Sequence, residues 1–336
     1  MAKNELIVIS GVNIVDGGAL VVFKDAVSAI VNNNKGYKIC VLVNKKSLFD
    51  DLNLQNVLFL EYPDVKKRWI NRVFFEYVYS YFLSRKLKPK AWLSMHDITP
   101  NVKSDYRFVY CHNPSPFYSN IFFYFLYEHK IDAFSVYYKF IYGINIKKNE
   151  SVFVQQEWLK SEFTQKYDLN SVIVARPESK MPLWQNELIL PAEVSSFINS
   201  RKGKFVFYPA YPRVFKNIEI ILEVAALSQQ KEIDLNFIIT VDGTENKYSS
   251  FLKKKYSKLS NVLWLGLLPH ESIMSIYPKC DLLCFPSKLE TWGLPLTEAI
   301  HFNIPISCSD LPYAHETTKG YKRVDFFDPA SAVEYH

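Results

Sequence analysis

DLLCFPSKLETWGLPLTEAIHFNIPISCSD, residues 281–310, sets two apolar runs either side of a stretch with helical character. The run at 281–287 is short enough for a buried strand, and a second run at 304–310 returns in the same form. Between them, Pro295 suits the first turn of a helix, where its missing N–H goes unused, so the helix is expected to start at Leu294 or Pro295. Strand, helix and strand at this spacing make a crossover in a parallel sheet with both faces covered. The loop also carries chemistry. Glu290 and Glu298 flank Gly293, and Glu298 is expected in the first helical turn. The N–H groups of Gly293, Leu294, Leu296 and Thr297 would point out of the helix start and, with the dipole, form a site for a phosphate oxygen. Gly293 lets that phosphate approach the backbone. A diphosphate there has two ends, and each carboxylate can accept hydrogen bonds from the hydroxyls of one of them, a ribose and a sugar. The pattern therefore describes a nucleotide sugar. A plainer reading competes with it, in which Glu298 complements the dipole and Glu290 is a solvated loop acid.

The same alternation runs outward through the chain. Upstream lie strand candidates at 204–210, 236–243 and 261–266, separated by helical stretches. The first half opens with LIVIS (6–10), a loop GVNIVDGG, a helical stretch and YKICVLV (37–43), and continues with candidates at 56–61, 91–95, 107–112 and 151–155. Two α/β domains of doubly wound type follow. At 336 residues the chain exceeds the usual ceiling for one hydrophobic core, which agrees. The stretch 175–194 holds three prolines and no clear period, and it marks the boundary. We assign residues 1–175 to an N-terminal acceptor-binding domain, 176–203 to a linker and 204–336 to a C-terminal nucleotide-sugar domain. Ligands of such folds bind at crevices outside the carboxyl ends of the strands.

Hydrophobic residues make up 49% of the sequence and charged ones 22%, which excludes a disordered or low-complexity chain. No apolar run is long enough to cross a bilayer, and the first residues read as a strand rather than a signal peptide, so a cytoplasmic protein is expected. The cysteines, Cys40, Cys111, Cys280, Cys284 and Cys308, sit mostly in apolar strand-like surroundings and read as reduced thiols. The formal net charge of +6 is modest, but residues 66–90 hold eight basic side chains (Lys66, Lys67, Arg68, Arg72, Arg85, Lys86, Lys88, Lys90) against Glu76 alone. Trp69, Phe74, Phe75, Tyr77, Tyr79, Tyr81 and Phe82 lie between them. Such a segment suits the surface of an anionic membrane. A core helix with solvated cationic ends is the competing reading. Nucleic acid ranks last, since no nucleic-acid motif accompanies the charge.

The segment 286–310 resembles the signature of family-four retaining glycosyltransferases with the GT-B fold, also called glycosyl transferases group one. The matching residues are Glu290, Gly293, Leu294, Pro295, Glu298, Ala299, Pro305, Ser309 and Asp310, with Asn303 where the family commonly has Gly. NVLWLGLLPHESIMSIYPKCDLLCFPS and GYKRVDFFDP are similar to the family's flanking segments. In the first half, VDGGA (15–19) resembles its Gly-rich loop, and VYCHNPSPF (109–117) and VQQEWLKSEF (154–163) resemble segments of a bacterial branch. Chains of the family usually continue into further helices, whereas this sequence ends at SAVEYH, a departure that bears on closure of the two domains.

The resemblance implies two Rossmann-like domains facing across a cleft, and a retaining, metal-independent hexosyltransferase acting on a lipid-linked or surface-glycan acceptor. By the match, Glu290 would contact hydroxyls of the transferred hexose and Glu298 the ribose. Gly293 and Leu294 would supply backbone donors to the phosphates, and Gly17 and Gly18 would allow close approach to the diphosphate. YPAYPRVFKN (208–217) falls where the family places a cationic pair, here Arg213 and Lys216, which can offset leaving-group charge without a metal. Their spacing departs from the commoner pattern, and this weighs on Arg213 more than on Lys216. His112 ends a strand, where a side chain faces a cleft rather than the core, and its family counterpart lies near the reacting carbon. Retaining enzymes of this fold are thought to react on one face, with the departing phosphate taking the acceptor proton, so His112 is not expected to act as a nucleophile or base. No cofactor and no metal are expected, the nucleotide sugar being a co-substrate. The competing functions are a catalytically silent nucleotide-sugar binder or partner protein, and a sucrose-synthase-like transferase on soluble sugars. A nicotinamide enzyme is weaker, because GVNIVDGG lacks the Gly-x-Gly-x-x-Gly spacing.

Overall fold

The computed structural model describes residues 5–117, 140–177 and 188–330. They divide into two compact units, residues 5–117 with 140–177 and residues 188–330. Of the segment assigned to the linker, residues 178–187 lie outside the described residues, as does the terminal SAVEYH from residue 331.

The first unit is built on a seven-stranded parallel sheet. Its strands are β1 (Leu6–Ser10), β2 (Lys38–Val43), β3 (Val57–Glu61), β4 (Ala91–Ser94), β5 (Tyr106–Tyr110), β6 (Ser151–Val154) and β7 (Val172–Val174), in the order β3-β2-β1-β4-β5-β6-β7. The strands read as unbroken apolar runs because helices cover both faces. Alternate residues serve opposite cores: Ile9 and Val41 pack with Phe23 and Val27 of the helix Gly17–Asn32. Val8, Cys40 and Leu42 pack on the other side with Trp92 and Phe75. The strand β7 is an addition to the sequence reading. It spans Val172–Val174 and ends where the proline-bearing boundary stretch begins.

The second unit carries a six-stranded parallel sheet of β8 (Lys204–Tyr208), β9 (Leu235–Ile239), β10 (Val262–Trp264), β11 (Leu282–Phe285), β12 (Ile306–Ser309) and β13 (Val324–Phe327). The order is β10-β9-β8-β11-β12-β13. The helix Leu294–His301 joins β11 to β12 and starts where Pro295 predicted. In each sheet the strand order reverses beside the unit's first strand, between β1 and β4 and between β8 and β11. Loops leaving adjacent strands at such a reversal turn to opposite faces and leave a crevice.

Residues 69–87 form one helical rod with a π turn at Phe75–Tyr79 between α-helical segments Trp69–Phe74 and Ser80–Leu87. Its amphipathicity is inverted. Arg72, Glu76, Ser80 and Ser84 are buried, whereas Ile70, Phe74, Val78 and Phe82 are 71, 56, 42 and 61% exposed. Both sets recur at every fourth residue and therefore form two stripes on opposed faces. The competing reading of a core helix with solvated cationic ends holds in part: the basic ends are exposed and Phe75 is buried, but Phe74, Tyr79 and Phe82 are not. Among the described residues no helix is long and apolar enough to cross a membrane.

Candidate functional site

The second unit gathers its predicted residues at the reversal between β8 and β11. The chain leaves β8, passes Arg213 and tightens into the turn Val214–Lys216, then starts the helix Ile218–Gln230. Asn217 adopts φ 57 at that helix start, and its Nδ2 donates to the carbonyls of Pro286 and Pro329. The Lys288 N–H donates to the Phe215 carbonyl at 2.7 Å. These bonds tie the loop after β8 to the loop after β11, and they bring Lys216 against Glu290, with Nζ donating to Oε1. The two side chains are 18 and 14% exposed, which strengthens the pairing relative to a solvated one. Arg213 stacks its guanidinium over the Tyr211 ring, 5.0 Å from the centroid.

Gly293 takes φ 80 as the residue capping the helix Leu294–His301, a conformation that costs other residues strain. A Cβ there would also stand 3.2 Å from Leu296 Cδ1 and 3.4 Å from Phe285 Cε1. The backbone arrangement is narrower than predicted, because the Leu296 N–H turns back to the Gly293 carbonyl at 2.9 Å. Glu298 is also not in the first turn, which holds no acid. With the helix starting at Leu294, Glu298 lies beyond the reach of the helix-start dipole, and side chains hold it instead. His270 Nε2 lies 3.0 Å from Oε1 and the Tyr277 hydroxyl donates to Oε2 at 2.7 Å. The Glu298 hydrogen bond raises the His270 pKa. Neither partner was legible in sequence, although both lie in the quoted segment preceding the signature.

In the first unit, Gly17 opens the helix Gly17–Asn32 with φ 68, and a Cβ there would meet nothing within 4 Å. Gly17 and Gly18 are exposed. His112 lies two residues beyond β5. Asp97, with φ 74, holds this loop: its Oδ1 accepts from the His112 N–H at 2.6 Å, the Asn113 N–H at 3.0 Å and the Tyr142 hydroxyl at 2.9 Å. The His112 ring packs on Tyr110, centroids 4.6 Å apart, and burial lowers its pKa.

A buried polar cluster adjoins the reversal between β1 and β4 and was not legible in the sequence. His96, just past β4, has Nε2 3.3 Å from both Ser10 Oγ and Glu76 Oε1. Arg72 Nη2 donates to the His96 carbonyl at 2.7 Å. Burial pushes the Glu76 carboxyl up to about 8 against the pull of Arg72, and it drives His96 well below its ordinary value.

Comparison with known proteins bears on this geometry. Residues 192–334 match the family model described as glycosyl transferases group 1. The match lies within the second unit, over the segment that carries Lys216, Glu290, Gly293 and Glu298. Over 163 residues it is 29% identical to the GtfA subunit of the UDP-N-acetylglucosamine–peptide N-acetylglucosaminyltransferase of Streptococcus parasanguinis, covering 48% of this chain and 30% of that protein. Over 253 residues it is 23% identical to the O-antigen chain mannosyltransferase RfbU of Salmonella typhimurium, covering 71% of this chain and 63% of that protein. The chain thus spans less than two thirds of either relative's length. Among solved structures, Anabaena HepE in complex with UDP-glucose superposes with a TM-score of 0.67 at 14% identity, over 98% of this chain and 87% of that one. WaaG, a glycosyltransferase involved in lipopolysaccharide biosynthesis, gives a TM-score of 0.63 at 12% identity, over 98 and 88%. The fold is GT-B, with two Rossmann-like α/β units.

Proposed function

We propose that this protein is a retaining glycosyltransferase of group 1 that moves a hexose from a nucleotide sugar to a lipid-linked or cell-surface glycan, of polysaccharide, O-antigen or capsule type. The Lys216–Glu290 pair at the crevice between β8 and β11, beside the Gly293 helix start, carries this reading. In the free protein each charge is the other's partner, so neither is buried alone. Donor entry replaces that pair with two better-matched ones: Lys216, with Arg213, against the diphosphate, and Glu290 against hexose hydroxyls. Lys216 and Arg213 then offset the charge that develops on the leaving diphosphate, in place of a divalent metal. Gly293 and Leu294 donate backbone N–H groups to the phosphates, and Glu298, oriented by His270 and Tyr277, accepts from the ribose. Of the first unit's residues, the family resemblance assigns Gly17 and Gly18 to the diphosphate and His112 to the transferred sugar.

The relatives' names support the acceptor class, one being an O-antigen chain mannosyltransferase. The exposed stripe Ile70, Phe74, Val78 and Phe82, with Lys66, Lys67, Arg68, Arg85, Lys86 and Lys88 exposed near its ends, favours a peripheral position on the cytoplasmic face of a membrane. The test is transfer and calorimetric donor binding across UDP, GDP and dTDP sugars, with a lipid-linked acceptor present. Lys216→Ala and Glu298→Ala should each abolish transfer, and undiminished transfer by both removes the site assignment. Donor binding without turnover across an acceptor panel points instead to a silent binding partner.

A further inference from the structure

His112 has two ring nitrogens, and its surroundings decide which carries the proton. Nδ1 lies 3.3 Å from the side-chain nitrogen of Gln155. The Gln155 amide also hydrogen-bonds the Tyr110 hydroxyl. That hydroxyl has one proton and donates it to the Ala175 carbonyl at 2.7 Å, so its oxygen can only accept. Gln155 must therefore turn its NH2 group toward Tyr110, and the same nitrogen faces His112. An amide nitrogen donates and does not accept, so Nδ1 must present its lone pair. In a neutral ring the proton is then at Nε2.

The ring is held neutral. Burial disfavours the charged form, against the pull of Asp97 and of the Met95 backbone. Nε2 is buried and meets no hydrogen-bond partner among the described residues, although the Met95 carbonyl is near enough to favour a proton on the ring. An Nε2–H there is a buried donor whose hydrogen bond an incoming oxygen can complete. Gln155 itself is 4% exposed and lies just past β6, two strands from the reversal, so its amide is held by packing rather than free to rotate in water.

We propose that Gln155 is a positioning residue that fixes His112 as the Nε2–H tautomer, so that His112 meets a substrate oxygen as a neutral hydrogen-bond donor and not as a base. The substrate part rests on the glycosyltransferase reading above; the tautomer does not.

The test uses the full chain labelled with 15N. Two-bond nitrogen–proton correlations, with the His112 signals assigned by their loss in His112→Gln, should show Nδ1 unprotonated and Nε2 protonated at neutral pH. In Gln155→Glu a carboxylate accepts from Nδ1–H, which raises the His112 pKa and leaves a lone pair on Nε2 once the ring deprotonates. Transfer by that variant should therefore fall about tenfold per pH unit above the new pKa, a limb absent from the wild type. Gln155→Met frees the ring and should give signals of both tautomers. Protonated Nδ1 in the wild type, or nitrogen signals unmoved by Gln155→Glu, overturns the assignment, and so does a Gln155→Glu profile as flat as the wild type. A wild type that shows the Nε2–H signals but transfers no sugar supports the tautomer and sinks the glycosyltransferase reading alone.

Discussion

Glu76 offers a prediction whose sign and size follow from burial. Its side chain is fully buried, and its pKa stands at about 8 against an ordinary value of 4.5. Between those two values the unfolded chain has released this proton while the folded one keeps it, so each pH unit above 4.5 lowers stability by about 1.4 kcal/mol. His96 works in the opposite sense. It is neutral when folded and charges when unfolded below its ordinary 6.5, so its contribution rises with pH up to that value and then stops. Below 6.5 the two groups act in opposite senses, and from 6.5 to 8 the Glu76 loss stands alone. Glu76→Gln keeps the shape and removes the titration. Its stability relative to wild type should improve by about 3 kcal/mol between pH 5 and pH 7.5. Urea unfolding of both proteins at those two pH values measures this, followed through a probe in the first unit because two units need not unfold together. An unchanged difference between the two proteins across that range refutes the claim that Glu76 is protonated in the folded state.

Two further outcomes are expected. Phe74→Asp combined with Phe82→Asp should reduce cosedimentation with vesicles rich in anionic lipid by at least about tenfold, since burying each ring is worth about 1.5–3 kcal/mol; equal binding by the double variant removes the membrane face. Asp97→Ala loses the acceptor of three hydrogen bonds and places a β-carbon-bearing residue with no compensating side chain at φ 74, so it should destabilise the first unit by about 2–4 kcal/mol in urea titrations. Asp97→Asn, which tolerates that backbone and still accepts, should cost clearly less, and an equal loss refutes the role given to the carboxylate.

Much of the molecule was legible residue by residue. Unbroken apolar runs such as 38–43 and 282–285 disclose strands covered on both faces, and Pro295 fixes a helix start. The strands β7 and β13 escaped, since Asp325 interrupts the apolar run of β13 and β7 runs directly into the proline-bearing stretch taken as the boundary. Glu298 was found but placed a turn too early, because a helix start is known to within a residue or two while the dipole fades within one turn. The segment 66–90 misled in a different way: its composition is that of an amphipathic helix, yet composition does not say which face turns inward.

The sequence by itself determined the α/β alternation, the two-unit division and the signature around Glu290, since these rest on local periodicity and spacing. Tertiary structure alone decided that β8 neighbours β11 and β1 neighbours β4, and thereby which loops meet. Lys216 and Glu290 are 74 positions apart, Ser10 and His96 are 86, and His112 and Gln155 are 43. Strand order sets those meetings. It is the outcome of packing many apolar faces at once, a global competition that no stretch of sequence records locally.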